Sequence, residues 1–596
     1  MRREGDQQQP LLYVREGVRA GDRVLLDAAA LSPDAATALD WWYPSPDGAL
    51  LPYGLSEGGS EKSILRVKDV TNGRDRDDVI PWTRASSLEW LPDASSFCYT
   101  RYPEPASVPA GEENYHRRVF FHSLGTDWRS DPPVFPEGEG RPAEDWPGVS
   151  LSPDGRWLAV HVSRGWTRTD VYLRDRVGVG SFVTVVEGED ALVGVLARND
   201  RLYLHTNLGA PRFRLLVADP RAPGRESWKE LIPEGPDVLE GVAVVGSTIL
   251  ASWLKDASSR LTLHDLDGRR RCELPLPEIG SLAGITGEWD GEEAFFGFSS
   301  YTSPPAVYRI GLPDGDVESW ARVESEVDAA RYRTRLVRYE SRDGTPVSMF
   351  LVDGKDRPAD ETGPAVLTGY GGFNVSLTPG FGRSLIQFLD AGGLWAVAHL
   401  RGGGEYGEDW HRAGMLGRKQ NAFDDFVAAA EWLVRERHAA QGRLAIIGGS
   451  NGGLLMGAAL TQRPELFRAT VVQVPLLDML RYHRFRIARL WIPEYGDPDD
   501  LEAFRWLHAY SPYHRVRDGT AYPAVLLTTG ASDSRVDPMH ARKMAARLQA
   551  ASSSGRPVLL RVETRAGHVP GKPLAKVVDE WTDVWTFLFS ELGMKP

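Results

Sequence analysis

The sequence predicts two architectures in tandem: an all-β propeller of about seven blades over residues 1–326, then an α/β domain on a mostly parallel, doubly wound sheet over residues 327–596. Three observations lead there. Strand-turn-strand units recur through the first half at a spacing of about 40 to 60 residues, close to one four-stranded blade. Beyond Val327 strands alternate with helices, the pattern of a parallel sheet covered by helices. And 596 residues exceed what a single hydrophobic core can serve.

The clearest turns of the first half are at 42–48, 90–93 and 151–157, where Pro-Asp pairs interrupt short apolar runs. Weaker echoes follow at 196–202, 244–248 and 288–292. A β-sandwich of this length has no reason to repeat on such a period. A seventh unit belongs at the start, where 5–10 reads as a turn and 11–14 as the strand after it, with no strand before. The first blade is therefore expected to be incomplete. An unpaired strand exposes a row of N–H and C=O groups. Either the sequence begins inside a longer ancestral one, or something else covers that edge.

In the second half, 332–352 reads as two strands around the turn Arg342-Asp343-Gly344. The strands that follow are expected at 364–368, 394–400, 444–447, 470–474, 525–529 and 558–563, with helices at 424–435, 454–462, 539–549 and 579–592. Ligand chemistry in such a sheet sits at the carboxyl ends of the strands.

Composition excludes several classes. A net charge of −13 argues against a general nucleic-acid or membrane-surface role. Two cysteines, Cys98 and Cys272, cannot make a disulfide framework or a cysteine zinc site. No apolar run reaches the length of a membrane span, and the polar start is not a secretory signal. The expectation is a cytoplasmic, monomeric enzyme without cofactor or metal. Neither a zinc-protease nor a P-loop motif is present.

The chemistry centres on Leu444-Ala445-Ile446-Ile447-Gly448-Gly449-Ser450-Asn451-Gly452-Gly453. A buried strand, a Gly-x-Ser-x-Gly turn and a helix start are what a nucleophile elbow needs. A Gly-rich strand-to-helix turn with an incidental serine is the plain alternative. Partners decide between them. Asp533 lies just after the strand at 525–529, and His568 just after the strand at 558–563, in the chain order nucleophile, acid, histidine. Ser450 would attack a carbonyl, His568 carry its proton, and Asp533 fix the imidazole tautomer. Asp537 competes with Asp533 but lies further from the strand end and next to Pro538. For the oxyanion, the Asn451 N–H follows the nucleophile, and the Tyr370 hydroxyl can reach over the elbow from the loop Gly369-Tyr370-Gly371-Gly372. The stretch 401–407 also fits G-x-G-x-x-G, but no helix with an apolar face opens after it, which argues against a dinucleotide site.

With these residues in hand, the sequence resembles the prolyl oligopeptidase family of serine peptidases. The matching stretches, in order, are 369–374 (GYGGFN), 401–407 (RGGGEYG), 448–454 (GGSNGGL), 533–536 (DSRV) and 566–568 (AGH). The resemblance implies an α/β-hydrolase domain capped by a seven-bladed propeller that admits short peptides, and a cut on the carboxyl side of proline. It also implies that Ser450, Asp533 and His568 form the triad, and that Tyr370 and Asn451 form the oxyanion site. By the same carry-over, Trp491 stacks on the substrate proline, Phe373, Val536 and Tyr495 line that pocket, and Arg535 meets a substrate carbonyl. An indole face suits a rigid pyrrolidine, and a guanidinium fork suits a carbonyl. The family's usual N-terminal segment, which packs on the hydrolase domain, is missing here with part of the first blade. That departure bears on stability, soluble expression and blade closure rather than on the triad. Two alternatives stay open. One is a related acylaminoacyl or basic-residue peptidase or esterase, against which the Trp491 pocket argues. The other is a poorly active propeller scaffold.

Overall fold

The computed structural model describes residues 1–17, 20–135, 140–178, 180–198, 200–358, 362–568 and 571–595. Asn199, in the fourth expected hairpin, and Val569 and Pro570, in the expected histidine loop, lie outside them.

Six antiparallel four-stranded sheets follow one another over 37–80, 88–135, 146–186, 193–232, 238–274 and 281–322. Each of the six turns expected from the sequence joins the first two strands of one sheet. Two of them show why the Ser-Pro-Asp-Gly sequence makes such a turn. Ser45 Oγ accepts the Leu50 N–H at 2.9 Å, Asp47 accepts that of Ala49 at 3.0 Å, and Gly48 takes φ 68°. Ser152, Asp154 and Gly155 repeat the arrangement with Trp157 and Arg156 at 2.8 and 3.1 Å. Each sheet buries an apolar face against the next: Leu65 and Val67 on Phe97, Val119 on Leu158, Leu173 on Leu202, Tyr203 on Ile249, Leu263 on Phe296.

The start departs from expectation. Among the described residues there are six complete blades, not about seven. The first unit is a two-stranded sheet, Leu12–Val14 with Arg23–Leu26, to which Arg2 adds one isolated bridge to Leu11. Only Arg2 stands in register before the turn at 5–10, so no full strand forms there. Leu12, Leu25 and Leu26 still pack on Leu51 and Tyr53 of the first blade. The turn itself rests on the C-terminal helix. Gln8 accepts the N–H groups of Leu574 and Ala575 at 2.8 and 3.0 Å through its carbonyl and side-chain oxygens, two of the donors that a helix start leaves without partners.

The second half is one eight-stranded sheet. Its strands are β1 (Tyr332–Glu340), β2 (Pro346–Gly354), β3 (Gly363–Thr368), β4 (Leu394–Ala398), β5 (Ala439–Gly449), β6 (Ala469–Gln473), β7 (Ala524–Gly530) and β8 (Val558–Glu563). They lie in the order β1-β2-β4-β3-β5-β6-β7-β8. β1, β2 and β4 pair antiparallel, and β4 through to β8 pair parallel. Successive strand residues alternate between two cores. Leu444, Ile446, Val525 and Leu527 pack with α2 (Gln420–Arg435), α3 (Asn451–Gln462) and α4 (Met539–Ala551) on one face. Ala445, Ile447, Ala524 and Leu526 pack with α1 (Arg383–Asp390) and α5 (Leu574–Leu592) on the other. The loops after β3, β5, β7 and β8 thus open at one edge of the sheet.

Candidate active site

β5 ends at Gly449 and α3 begins at Asn451, so Ser450 alone makes the turn. It holds φ 59° and ψ −120°, a conformation disfavoured by about 1–3 kcal/mol for a residue with a side chain. The Ser450 N–H donates to the Gln473 carbonyl at 2.9 Å, tying the turn to β6. Close packing behind it demands glycine: a Cβ on Gly453 would stand 2.7 Å from the Pro475 side chain and 2.9 Å from the Gln473 carbonyl.

The loops after β7 and β8 bring the other two residues to this turn. His568 Nδ1 lies 2.8 Å from Asp533 Oδ2, and its Nε2 lies 3.0 Å from Ser450 Oγ. Asp533 is fully buried, and its other oxygen accepts the N–H groups of Arg535 and Val536, each at 2.9 Å. Those bonds fix the carboxylate as an acceptor, so Nδ1 carries the proton and the Nε2 lone pair faces the serine hydroxyl. Asp537 is engaged elsewhere, accepting the Met539 N–H at the start of α4 at 3.0 Å and pairing with Arg486 at 3.1 Å.

Tyr370, in the loop after β3, directs its hydroxyl at Ser450 and at the Asn451 N–H; burial, foremost, raises its pKa. The Asn451 side chain joins three parts of the site. Its Nδ2 donates to the Tyr370 carbonyl at 2.6 Å, and its Oδ1 accepts the Tyr495 hydroxyl at 2.8 Å. Trp491 keeps 9% exposure and Phe373 7%, their rings 6.5 Å apart and inclined at 73°. Tyr495 is fully buried and stands edge-on behind Phe373 at 5.2 Å. Its hydroxyl is turned inward to Asn451, so Tyr495 offers no open surface where the sequence expects it to line a proline pocket. Val536 is also buried, next to Asp533.

Arg535 is not a free cation. Its Nε and Nη2 meet both oxygens of Glu61 in the propeller at 3.0 and 2.6 Å, while 40% of its side chain stays exposed. Burial pushes Glu61 toward its neutral form, but Arg535 and Arg84 outweigh it and hold the carboxyl below its ordinary range. The propeller also supplies Trp166, whose ring meets Phe373 edge-on at 4.5 Å. Sequence reasoning misses Glu61, Trp166, Glu494 and the Asn451 side chain. Only Glu494 left a signal, as a lone acid within an otherwise apolar and aromatic run, Leu490-Trp491-Ile492-Pro493-Glu494-Tyr495. In the expected dinucleotide decoy, Arg401 is buried against Asp425 and Asp343, both at 2.6 Å, which gives that stretch a structural duty.

Comparisons with known proteins bear on the fold and the family. Residues 1–323 match the model of the prolyl oligopeptidase N-terminal β-propeller domain, and residues 379–595 match the prolyl oligopeptidase family. The chain is 34% identical over 596 residues to a prolyl endopeptidase of Elizabethkingia miricola, covering 99% of this chain and 84% of that protein. It is 31% identical to prolyl oligopeptidase A of Galerina marginata, with 99% and 84% covered. Among solved structures, one from a study of two prolyl endopeptidases and their inter-domain dynamics superposes with a TM-score of 0.95 at 41% identity, with 99% and 87% covered. Fold and relatives together define the class, a serine-type endopeptidase with a hydrolase domain and a β-propeller. The chain belongs to the prolyl oligopeptidase family. Among the described residues no helix is long and apolar enough to cross a membrane.

Proposed function

We propose that this protein hydrolyses short peptides on the carboxyl side of proline through an acyl-enzyme formed on Ser450. The observation that carries the reading is the pair of hydrogen bonds linking Ser450, His568 and Asp533 at 3.0 and 2.8 Å. Ser450 Oγ bonds to the scissile carbonyl carbon while its proton passes to His568 Nε2, and Asp533 steadies the imidazolium. The oxygen that becomes anionic accepts from the Tyr370 hydroxyl and the Asn451 N–H. Collapse breaks the C–N bond, and His568 returns the proton to the leaving amine. Water then repeats the sequence on the ester and frees Ser450. The Trp491 indole offers a flat apolar face to the proline ring, with Phe373 and Val536 beside it and Tyr495 behind. Arg535, steered by Glu61, offers its exposed edge to a substrate carbonyl. This half of the chain, from 327 onward, acts as the catalytic domain, and the propeller limits what reaches it.

A cleavage profile on a mixed peptide library tests this, with the Ser450→Ala protein as control. Cuts after proline that vanish in the control are expected; cuts without preference, or cuts that survive the substitution, would refute it. Trp491→Ala is expected to lose far more turnover of a Z-Gly-Pro type substrate than of a simple ester. Equal losses would remove the indole from the pocket's role.

A further inference from the structure

Under the loop that carries Tyr370 and Phe373 lies a cluster of buried charges that the reaction above does not use. Glu494, in the short helix Ile492–Tyr495, is 1% exposed. Its Oε1 accepts the Phe373 N–H at 3.0 Å and stands 3.3 Å from the Lys419 ammonium; its Oε2 stands 2.8 Å from His411 Nε2. Lys419 in turn donates to the Gly371 carbonyl at 2.8 Å. On the far side of His411, Glu408 lies 3.5 Å from Nδ1, pairs with Arg412 at 2.7 Å and accepts from Asn207 of the propeller at 3.4 Å. Removing one partner from a charge cluster this deep leaves the others uncompensated.

Two of these links grip the main chain on either side of Gly372, and the acid at their centre is one helical turn from Trp491. The loop is seated so closely that a Cβ at Gly372 would come within 2.6 Å of Lys419 Nζ and 2.7 Å of Asn451 Nδ2. One carboxylate therefore fastens the loop that presents the oxyanion donor to the helix that presents the indole. We propose that Glu494 is a positioning residue for specificity: it holds the oxyanion loop and the Trp491 helix in a single register, so that a bound proline and its scissile carbonyl meet both at once. Lys419 and His411 keep it ionised. The charged groups facing His411 are Glu408 and Arg412 of its own short helix and Glu494 opposite, with Lys419 sharing Glu494. Burial lowers the His411 pKa, yet the two carboxylates prevail and raise it to about 8. The proposal rests on the proline-directed reading above and adds to it a group that touches neither substrate nor reacting atoms.

Glu494→Gln keeps an acceptor for the Phe373 N–H but removes the charge. The expected result is a fall in kcat of tenfold or more on a proline substrate with KM changed less than threefold, because the misalignment is felt mainly in the transition state. The ratio of turnover after proline to turnover after alanine should fall by a similar factor. An unchanged ratio would overturn the proposal. Should that variant not fold, His411→Gln, which keeps a donor for Glu494 but cannot titrate, decides the matter. Wild-type kcat is expected to decline on an alkaline limb near pH 8 that this variant lacks; the same limb in both proteins would overturn it. A wild-type protein with no preference for proline would instead refute the underlying reading, and that would be visible before any variant is made.

Discussion

The two sides of the candidate site are held in different ways. Ser450 and Tyr370 are fastened by the core of their own domain, by Asn451 and by the charges around Glu494, although the propeller reaches the neighbouring aromatics through Trp166 on Phe373 and through Glu112 and Glu144 on Arg489. His568 is flanked by ties to the other domain. Before it, Arg565 pairs with Asp34 at 2.5 Å, and Gly567 lies against the Gly59 main chain. After it, the Gly571 carbonyl accepts from Gln9 at 2.8 Å. The acid shares this dependence at one remove, since Ser534 and Arg535, next to Asp533, both reach Glu61. On the proposed reading, the hydrolase domain builds most of the half of the site that would receive the carbonyl, and the propeller helps to hold the half that would move the proton.

Four measurements would break or sharpen this contrast. The largest effect is expected from Asp533→Asn, which leaves the serine side intact but reverses the imidazole tautomer; kcat should drop by roughly 10⁴. A loss below tenfold in steady-state kinetics would mean that the histidine side matters far less than its geometry implies. Next comes Tyr370→Phe, expected to lower kcat by about 10² to 10³, equivalent to about 2.7–4 kcal/mol, with the fold unchanged by circular dichroism. A wild-type rate would leave Asn451 as the sole donor.

Third is the buried histidine on the serine side. The folded-state pKa of His411 is raised from 6.5 to about 8. Its protonation therefore contributes stability that is fully present below about pH 6.5 and is lost as pH rises through 8. The shift corresponds to about 2 kcal/mol. Urea unfolding of the full chain at pH 6 and pH 9 should show a stability difference that is larger in the wild type than in His411→Gln by about that amount. The smallest effect belongs to Gln9→Ala on the propeller side. Losing its hydrogen bonds to Gly571 and Ala35 should cost about 0.5–1.5 kcal/mol of stability each, with kcat lowered by no more than a few-fold and proline selectivity preserved. A change in selectivity there would dissolve the division between the two sides.

What the sequence discloses follows from how far apart the interacting residues are. The elbow is legible because strand, turn and helix are contiguous, and the blade hairpins because a serine, an aspartate and a glycine within four positions build the turn by themselves. Strand and helix order in the second half is equally local, though β5 starts earlier than expected, through the polar stretch 439–443. The Glu494 cluster is not legible beyond the acid itself, because its contacts lie 75, 83 and 121 residues away: Lys419 and His411 resemble ordinary surface charges in their own segments, and the third contact is the Phe373 main-chain N–H. An ion pair is the plain alternative for Arg535 in the sequence, but its partner is illegible for the same reason, with Glu61 474 residues distant. The blade count fails differently. A turn followed by a strand at 5–14 promises a blade, but a blade needs neighbours for that strand, and Arg2 supplies a single bridge.

The contact between Gly59 and Gly567 carries a consequence for how this protein can vary. There the two domains touch main chain to main chain, and a Cβ on Gly567 would fall on the Gly59 carbonyl oxygen. One methyl group at that seam would act as a wedge, and the first side chain displaced would be the imidazole one residue further along. On the proposed reading, the alignment of His568 with Ser450 thus leans on a place where two surfaces fit because neither has anything to put between them.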